Sequence, residues 1–102
     1  MFIVQLTYKA PLSEVDKYLQ AHREFLDYYY KKNLLLASGP MKPRTGGILI
    51  AMTQDKTYLE SILKQDPYAL ADIAEYQLIE FTPIKHRDEL KDIIFQTEGK
   101  LC

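Results

Sequence analysis

The order in which the hydrophobic period changes along this chain is its strongest constraint on fold. Phe2, Val4, Leu6 and Tyr8 fall on one alternation of a β-rich segment, the period-two pattern of a strand with a buried face. Ala10-Pro11 ends it, and Ser13 is then a candidate helix cap, with Asp16 completing a looser capping box. From Val15 to about Lys32 the spacing is helical. Val15, Leu19, His22, Leu26 and Tyr29 share a stripe, and most charged residues lie off it. Asn33 is a plausible stop, because Asn tolerates the left-handed conformation. Two short apolar segments follow, Leu34–Ser38 and Ile48–Met52. Gly39-Pro40 is expected to break the first, and Lys42–Gly47 reads as the hairpin connection. Asp55–Gln65 is helical again, with Tyr58, Leu59, Ile62 and Leu63 inward. Asp66-Pro67 opens a short extra turn through Ile73, and Tyr76–Phe81 returns to a strand.

Strand, helix, hairpin, helix, strand is the split-βαβ order, β-α-β-β-α-β. The expected fold class is therefore α+β: a ferredoxin-like antiparallel sheet with its helices on one face. Leu34–Ala37 and Ile48–Met52 are apolar on both alternations, which is normal for strands covered on both faces. The chain has only a short tail to supply that second cover, so a homodimer joined sheet to sheet is expected. The tail itself is helix-like from His86 to about Phe95, with Leu90, Ile93 and Ile94 on one side. Residues 1–83 are expected to form the domain and 84–102 a helical tail belonging to it.

Composition narrows the class of function. The 102 residues carry 47% hydrophobic and 26% charged side chains, enough for one globular core. A formal net charge of −1 provides no global field to recruit nucleic acid or an anionic membrane. No apolar run approaches the ~20 residues that a membrane helix needs. The single cysteine, Cys102, can form no internal bridge, and no Cys/His cluster has zinc spacing. A cytoplasmic protein without metal or other cofactor is the expectation.

Among residues that could carry chemistry, His22 stands out because it lies on the apolar stripe of the first helix and so faces the sheet. A hydrogen-bonded core histidine explains it equally well. A functional histidine needs a partner that fixes its tautomer, and Asp66 is the best placed carboxylate. Asp followed by Pro is also a common helix start. The two roles are compatible, one oxygen capping and the other facing the imidazole. Ser38-Gly39-Pro40 is either a strand end with a bend or a wall where a ligand approaches backbone. Thr45-Gly46-Gly47 lacks the Walker pattern and reads as a turn. Lys42 and Arg44 beside it are either a solvated loop or an attraction for an anion. Tyr28-Tyr29-Tyr30 mostly packs, with room for one hydroxyl to face a cavity.

Taken together, several of these pieces resemble the YCII family of YciI-like proteins. They are the opening strand, His22 with Phe25-Leu26 after it, Leu35-Leu36-Ala37-Ser38-Gly39-Pro40, a glycine at the third strand (Gly46 or Gly47), and Asp66-Pro67-Tyr68. The resemblance covers about residues 1–83. It implies a dimeric α/β barrel of ferredoxin-like protomers and a site centred on a His–Asp pair, here His22 and Asp66. Ser38, Gly39, Pro40 and Tyr68 become candidate substrate-binding residues. Some relatives act as dehalogenases or lactone-processing enzymes, and others are domains of regulatory proteins. This chain has Leu19 where many relatives have an arginine, and Asn33 where many have a glycine.

Three functions compete at this level. The first is a small enzyme using His22 as general acid/base, oriented by Asp66, in lyase, dehalogenase or isomerase chemistry. The second is a module that binds an unknown small molecule without turnover. The third is a structural dimerisation domain with the tail as a docking element.

Overall fold

A computed structural model describes residues 1–99. The elements are β1 (Phe2–Tyr8), α1 (Leu12–Val15), a 3-10 turn (Asp16–Tyr18), α2 (Leu19–Lys31), β2 (Leu35–Pro40), β3 (Gly46–Ala51), α3 (Lys56–Leu63), α4 (Pro67–Leu70), β4 (Ala74–Glu80), a second 3-10 turn (Asp88–Leu90) and α5 (Lys91–Glu98). The strands form one antiparallel sheet in the order β2-β3-β1-β4. This is the ferredoxin-like α+β arrangement that the element order predicts.

One alternation of β1 carries the core. Phe2, Val4 and Leu6 are essentially inaccessible, and each contributes about 1.5–3 kcal/mol by leaving water. Val4 pairs with Leu49 on one side and Leu78 on the other, so an apolar row crosses three strands beneath the helices. Val15 and Leu26 reach it from α1 and α2, and Leu59, Ile62 and Leu63 from α3, whereas Tyr58, expected inward, lies off that stripe and is exposed.

Local details differ from the sequence reading. The first helix is not continuous: a 3-10 turn separates α1 from α2, and Pro11, not Ser13, occupies the cap without a side-chain bond. Gly39-Pro40 does not break β2, which runs through both residues. A proline is tolerated there because β2 lies at the sheet edge. Gly46 and Gly47 belong to β3 and pair with Thr7 and Leu6, so the hairpin loop is shorter than expected. The last strand starts at Ala74 and ends at Glu80. Asn33 does take a positive φ, 60°.

The opposite face of the sheet carries a second apolar row. Ala37 pairs with Ile50, Ile50 with Ile3 and Ile3 with Ile79, a line across all four strands. Nothing in residues 1–99 buries it: Ile79 is 46% exposed, and Ile3 and Ile50 are only half-buried. The tail docks instead at the Met1 end of β1. Ile94 is buried, the Met1 amino group pairs with Glu98, and Gln54 Nε2 donates to the Thr97 carbonyl at 3.0 Å. Leu90 and Ile93 are half-buried rather than packed as a full stripe. Cys102 and the end of the expected tail lie outside the described residues.

Candidate active site

The helical stripe turns His22 toward the sheet, where it is buried. The turn after α3 brings Asp66 to meet it across 44 residues of sequence. His22 Nδ1 lies 2.8 Å from Asp66 Oδ1. The same Oδ1 accepts from the backbone N–H of Tyr68 at 3.0 Å, which caps α4. The other oxygen, Oδ2, accepts from the Tyr76 hydroxyl at 2.7 Å. Capping and imidazole contact therefore share one oxygen, and the second is taken by a tyrosine that the sequence reading did not include. All these bonds run into Asp66, the pattern of a carboxylate acting only as acceptor.

This network fixes the imidazole. A carboxylate at Nδ1 requires that nitrogen to carry the proton, which leaves Nε2 as the acceptor. Nε2 has no protein partner among the described residues. The ring stacks on Tyr68, with centroids 4.0 Å apart and planes 9° from parallel. Asp66 below and Tyr68 alongside thus hold both the tautomer and the ring plane.

Beside the imidazole lies a cavity of about 480 Å³, between α2 and the end of β1 nearest Tyr8. His22, Ser38, Gly39, Pro40 and Tyr68 all line it, whereas Asp66 sits behind His22 with no exposed surface. Ser38 Oγ is 2.6 Å from the Tyr30 hydroxyl, so Tyr30 is the member of the tyrosine triplet that reaches the wall. Gly39 contributes backbone. Its register opposite Ile48 directs its missing side chain to the outer sheet face, and a Cβ there would meet nothing within 4 Å.

Two cationic residues also line the cavity: Arg44, the hairpin charge weighed above as an attraction for an anion, and Arg23, which the sequence does not mark. Arg44 is anchored to Asp16 at 2.7 Å and lies 5.9 Å from the Tyr8 ring centroid; Arg23 lines the wall from α2. Leu19 presents apolar surface to the same cavity. The contact of Arg44 with Asp16 needs the break between α1 and α2 and the hairpin to meet, which no local pattern announces. Among the described residues no group of three or more His, Cys, Asp or Glu could hold a metal ion.

Among the described residues the buried Tyr68 hydroxyl has no hydrogen-bond partner, and a buried donor left unpaired costs about 1–3 kcal/mol. Burial, reinforced by Tyr8, pushes its pKa up to about 12. Tyr76 is driven well above the ordinary phenol range by burial and then by the charge of Asp66. An unfolded tyrosine ionises near ~10, so above that pH the unfolded chain loses protons that the fold still holds. Stability is therefore unaffected by these two groups below about pH 10 and falls as pH rises through and beyond it. In a tyrosinate absorbance titration of the eight tyrosines, Tyr68 and Tyr76 are expected to ionise after the exposed ones. A single transition of all eight with the fold intact would contradict that.

The YCII-related domain model matches residues 1–82. This chain belongs to the YCII family. A structure with the same fold is the 5-chloro-2-hydroxyhydroquinone dehydrochlorinase of Burkholderia phenoliruptrix AC1100, solved in complex with 2,5-dihydroxybenzoquinone. The two share 20% identity over 87% of this chain and 98% of that one, with a TM-score of 0.67. No curated protein matches this chain. Among the described residues, no helix of this YCII protein is long and apolar enough to cross a membrane.

Proposed function

We propose that this YCII protein is an enzyme of lyase or isomerase type in which His22 moves a proton on a small molecule and Asp66 orients it. The observation that carries this reading is the 2.8 Å contact of Nδ1 with a fully buried carboxylate, in a histidine that also lines a cavity. Nε2 removes a proton from a carbon next to a carbonyl or, on the keto tautomer of a hydroxylated ring, from a hydroxyl conjugated with the C–X carbon, and the electron pair left behind moves into a new π bond. In an elimination, the adjacent C–X bond breaks, X leaves with its electron pair, and HX is the net product. In an isomerisation, the imidazolium returns the proton to a different carbon. Asp66 stabilises the imidazolium in between. Such a base contributes typically ~10²–10⁴-fold to the proton-transfer step. The dehalogenase with the same fold makes halogenated, hydroxylated rings the first substrates to offer.

His22→Asn is the informative variant, because its amide can still donate toward Asp66 while Nε2 is gone. With 5-chloro-2-hydroxyhydroquinone as substrate and released chloride as the readout, wild type is expected to turn over. His22→Asn is expected to lose about 10²-fold or more while remaining folded. A compound that stabilises wild type, depends on His22 and is recovered unchanged would favour the binding-module reading. If His22→Asn unfolds and no compound stabilises wild type, His22 is a core residue and the proposal fails.

The working unit in this reading is a cytoplasmic homodimer. The row Ala37–Ile50–Ile3–Ile79 gives each protomer an apolar sheet face that residues 1–99 leave open. Light scattering should give twice the chain mass, and Ile79→Asp, at a position already 46% exposed, should give a folded monomer. A monomeric wild type at micromolar concentration would remove this part of the proposal.

A further inference from the structure

We propose that Arg44 and the Tyr68 hydroxyl form an oxyanion-holding subsite, so that the ligand of this cavity is a small organic anion. The inference rests on the site proposed above and adds the class of ligand and the groups that select it. Two of the fourteen residues around the cavity are cationic, Arg23 and Arg44, and none is acidic. Arg23 has no carboxylate within salt-bridge distance among the described residues. The rest of the wall that faces the helices is largely aliphatic, including Leu6, Leu26 and Leu49. A ligand that satisfies both halves carries a negative oxygen on an apolar carbon frame.

An independent observation points the same way. Among the described residues, the Tyr68 hydroxyl is the one buried side-chain polar atom without a hydrogen-bond partner, and Tyr68 lines this cavity. Buried polar groups are nearly always paired, so an orphan hydroxyl in a cavity wall is satisfied when something else occupies the cavity. A phenol holds its proton at neutral pH and burial only strengthens that, so the hydroxyl is available as a donor to an anion. Arg44 is held ready in a similar way. Asp16 engages Nη2 and Tyr8 lies beneath the guanidinium, so the side chain is fixed while most of its five N–H donors remain unassigned. Because Asp16 offsets its charge, Arg44 selects mainly by directed hydrogen bonds, and Arg23 adds the uncompensated charge at the wall.

The groups are also in a useful order. Arg44 lies against Tyr8, Tyr8 meets the edge of Tyr68 at 6.0 Å, and Tyr68 stacks on His22 at 4.0 Å. An anion held by Arg44 and the Tyr68 hydroxyl keeps its carbon frame within reach of the imidazole, which stacks on that same Tyr68 ring.

Calorimetric titration of the full chain with two pairs of near-isosteric probes tests this: benzoate against benzamide, and 4-nitrophenolate against 4-nitroanisole. Wild type should prefer the anion of at least one pair by tenfold or more, and which pair responds distinguishes a carboxylate from a phenolate. Arg44→Gln and Tyr68→Phe should each collapse that preference toward unity while leaving the neutral partner's affinity and the circular dichroism spectrum unchanged. Arg44→Lys should restore part of it. If neutral probes bind as tightly as anions and binding still depends on His22, the subsite is overturned and the site itself stands. If an anion preference survives both variants, the subsite is likewise overturned. If none of the four probes binds at millimolar concentration, the subsite and the site reading fall together.

Discussion

Asp66→Ala should destabilise the protein by about 3 kcal/mol or more, because each buried donor left without its acceptor costs about 1–3 kcal/mol. Three donors lose their acceptor at once: the His22 ring, the Tyr68 N–H that starts α4, and the Tyr76 hydroxyl. The site is fully buried, so water cannot replace the carboxylate without opening the junction of α2, α4 and β4. For a domain of ~100 residues each kcal/mol is worth about 4–8 °C in Tm, so thermal unfolding should fall by about 12 °C or more. Asp66→Asn separates architecture from chemistry. Asn is a good cap and retains an acceptor at Oδ1, so most of the stability should return. It carries no charge to stabilise an imidazolium, so turnover should stay low. Calorimetry and chloride release on the two variants give the result. An Asp66→Ala protein that melts within a few degrees of wild type would show that the network is not structural. Full turnover in Asp66→Asn would show that the carboxylate's charge is not used.

The parts of this molecule that were legible in the sequence are those set by local pattern. His22 shows itself by its place on a helical stripe, and Asp66 by the Asp-Pro helix start. Both signals depend on a few neighbouring residues, and the fold order supplies their meeting. The roles of Tyr76 and Arg44 depend on contacts that no periodicity encodes. Tyr76 sits in an alternating strand and reads as core, yet its hydroxyl reaches Asp66 across the β4–α4 junction. Arg44 reads as a hairpin charge, and it enters the cavity wall only because a 3-10 turn places Asp16 opposite it. The same turn takes Asp16 out of the expected capping box, and Pro11 stands at the cap with no side-chain bond. Gly39-Pro40 carries the local signature of a break yet continues β2, for a different reason. Its tolerance in β2 follows from the strand's edge position, a property of the assembled sheet. Edge position, strand order and side-chain reach are tertiary facts, and the misreadings gather there.

Gly46→Ala should be close to non-folding, and it distinguishes a glycine required by the sheet from one that is merely convenient. A Cβ at Gly46 would lie 1.8 Å from the Leu6 carbonyl oxygen, 2.8 Å from its carbon and 3.2 Å from Thr7 Cα. All three are backbone atoms of β1, so no side chain can swing aside. A normal carbon–oxygen contact between strands is ~3.3 Å or more, so β1 and β3 would have to separate by about 1.5 Å. That breaks ladder bonds at the centre of the sheet, beside the cavity end of β1. The loss should exceed ~4 kcal/mol, among the largest effects of single substitutions. A domain of this size has roughly 5–15 kcal/mol in total, so the variant should be recovered largely insoluble or with a cold, broad melt. Gly39→Ala is the control. A Cβ there meets nothing within 4 Å and points to the outer face, so the isolated protomer should keep its stability within about 0.5 kcal/mol. A well-folded Gly46→Ala protein with a wild-type melt would mean that β1 and β3 do not approach as closely as this sheet requires. The placement of Tyr8 and Arg44 at the cavity, which depends on that end of the β1–β3 ladder, would then need to be redrawn.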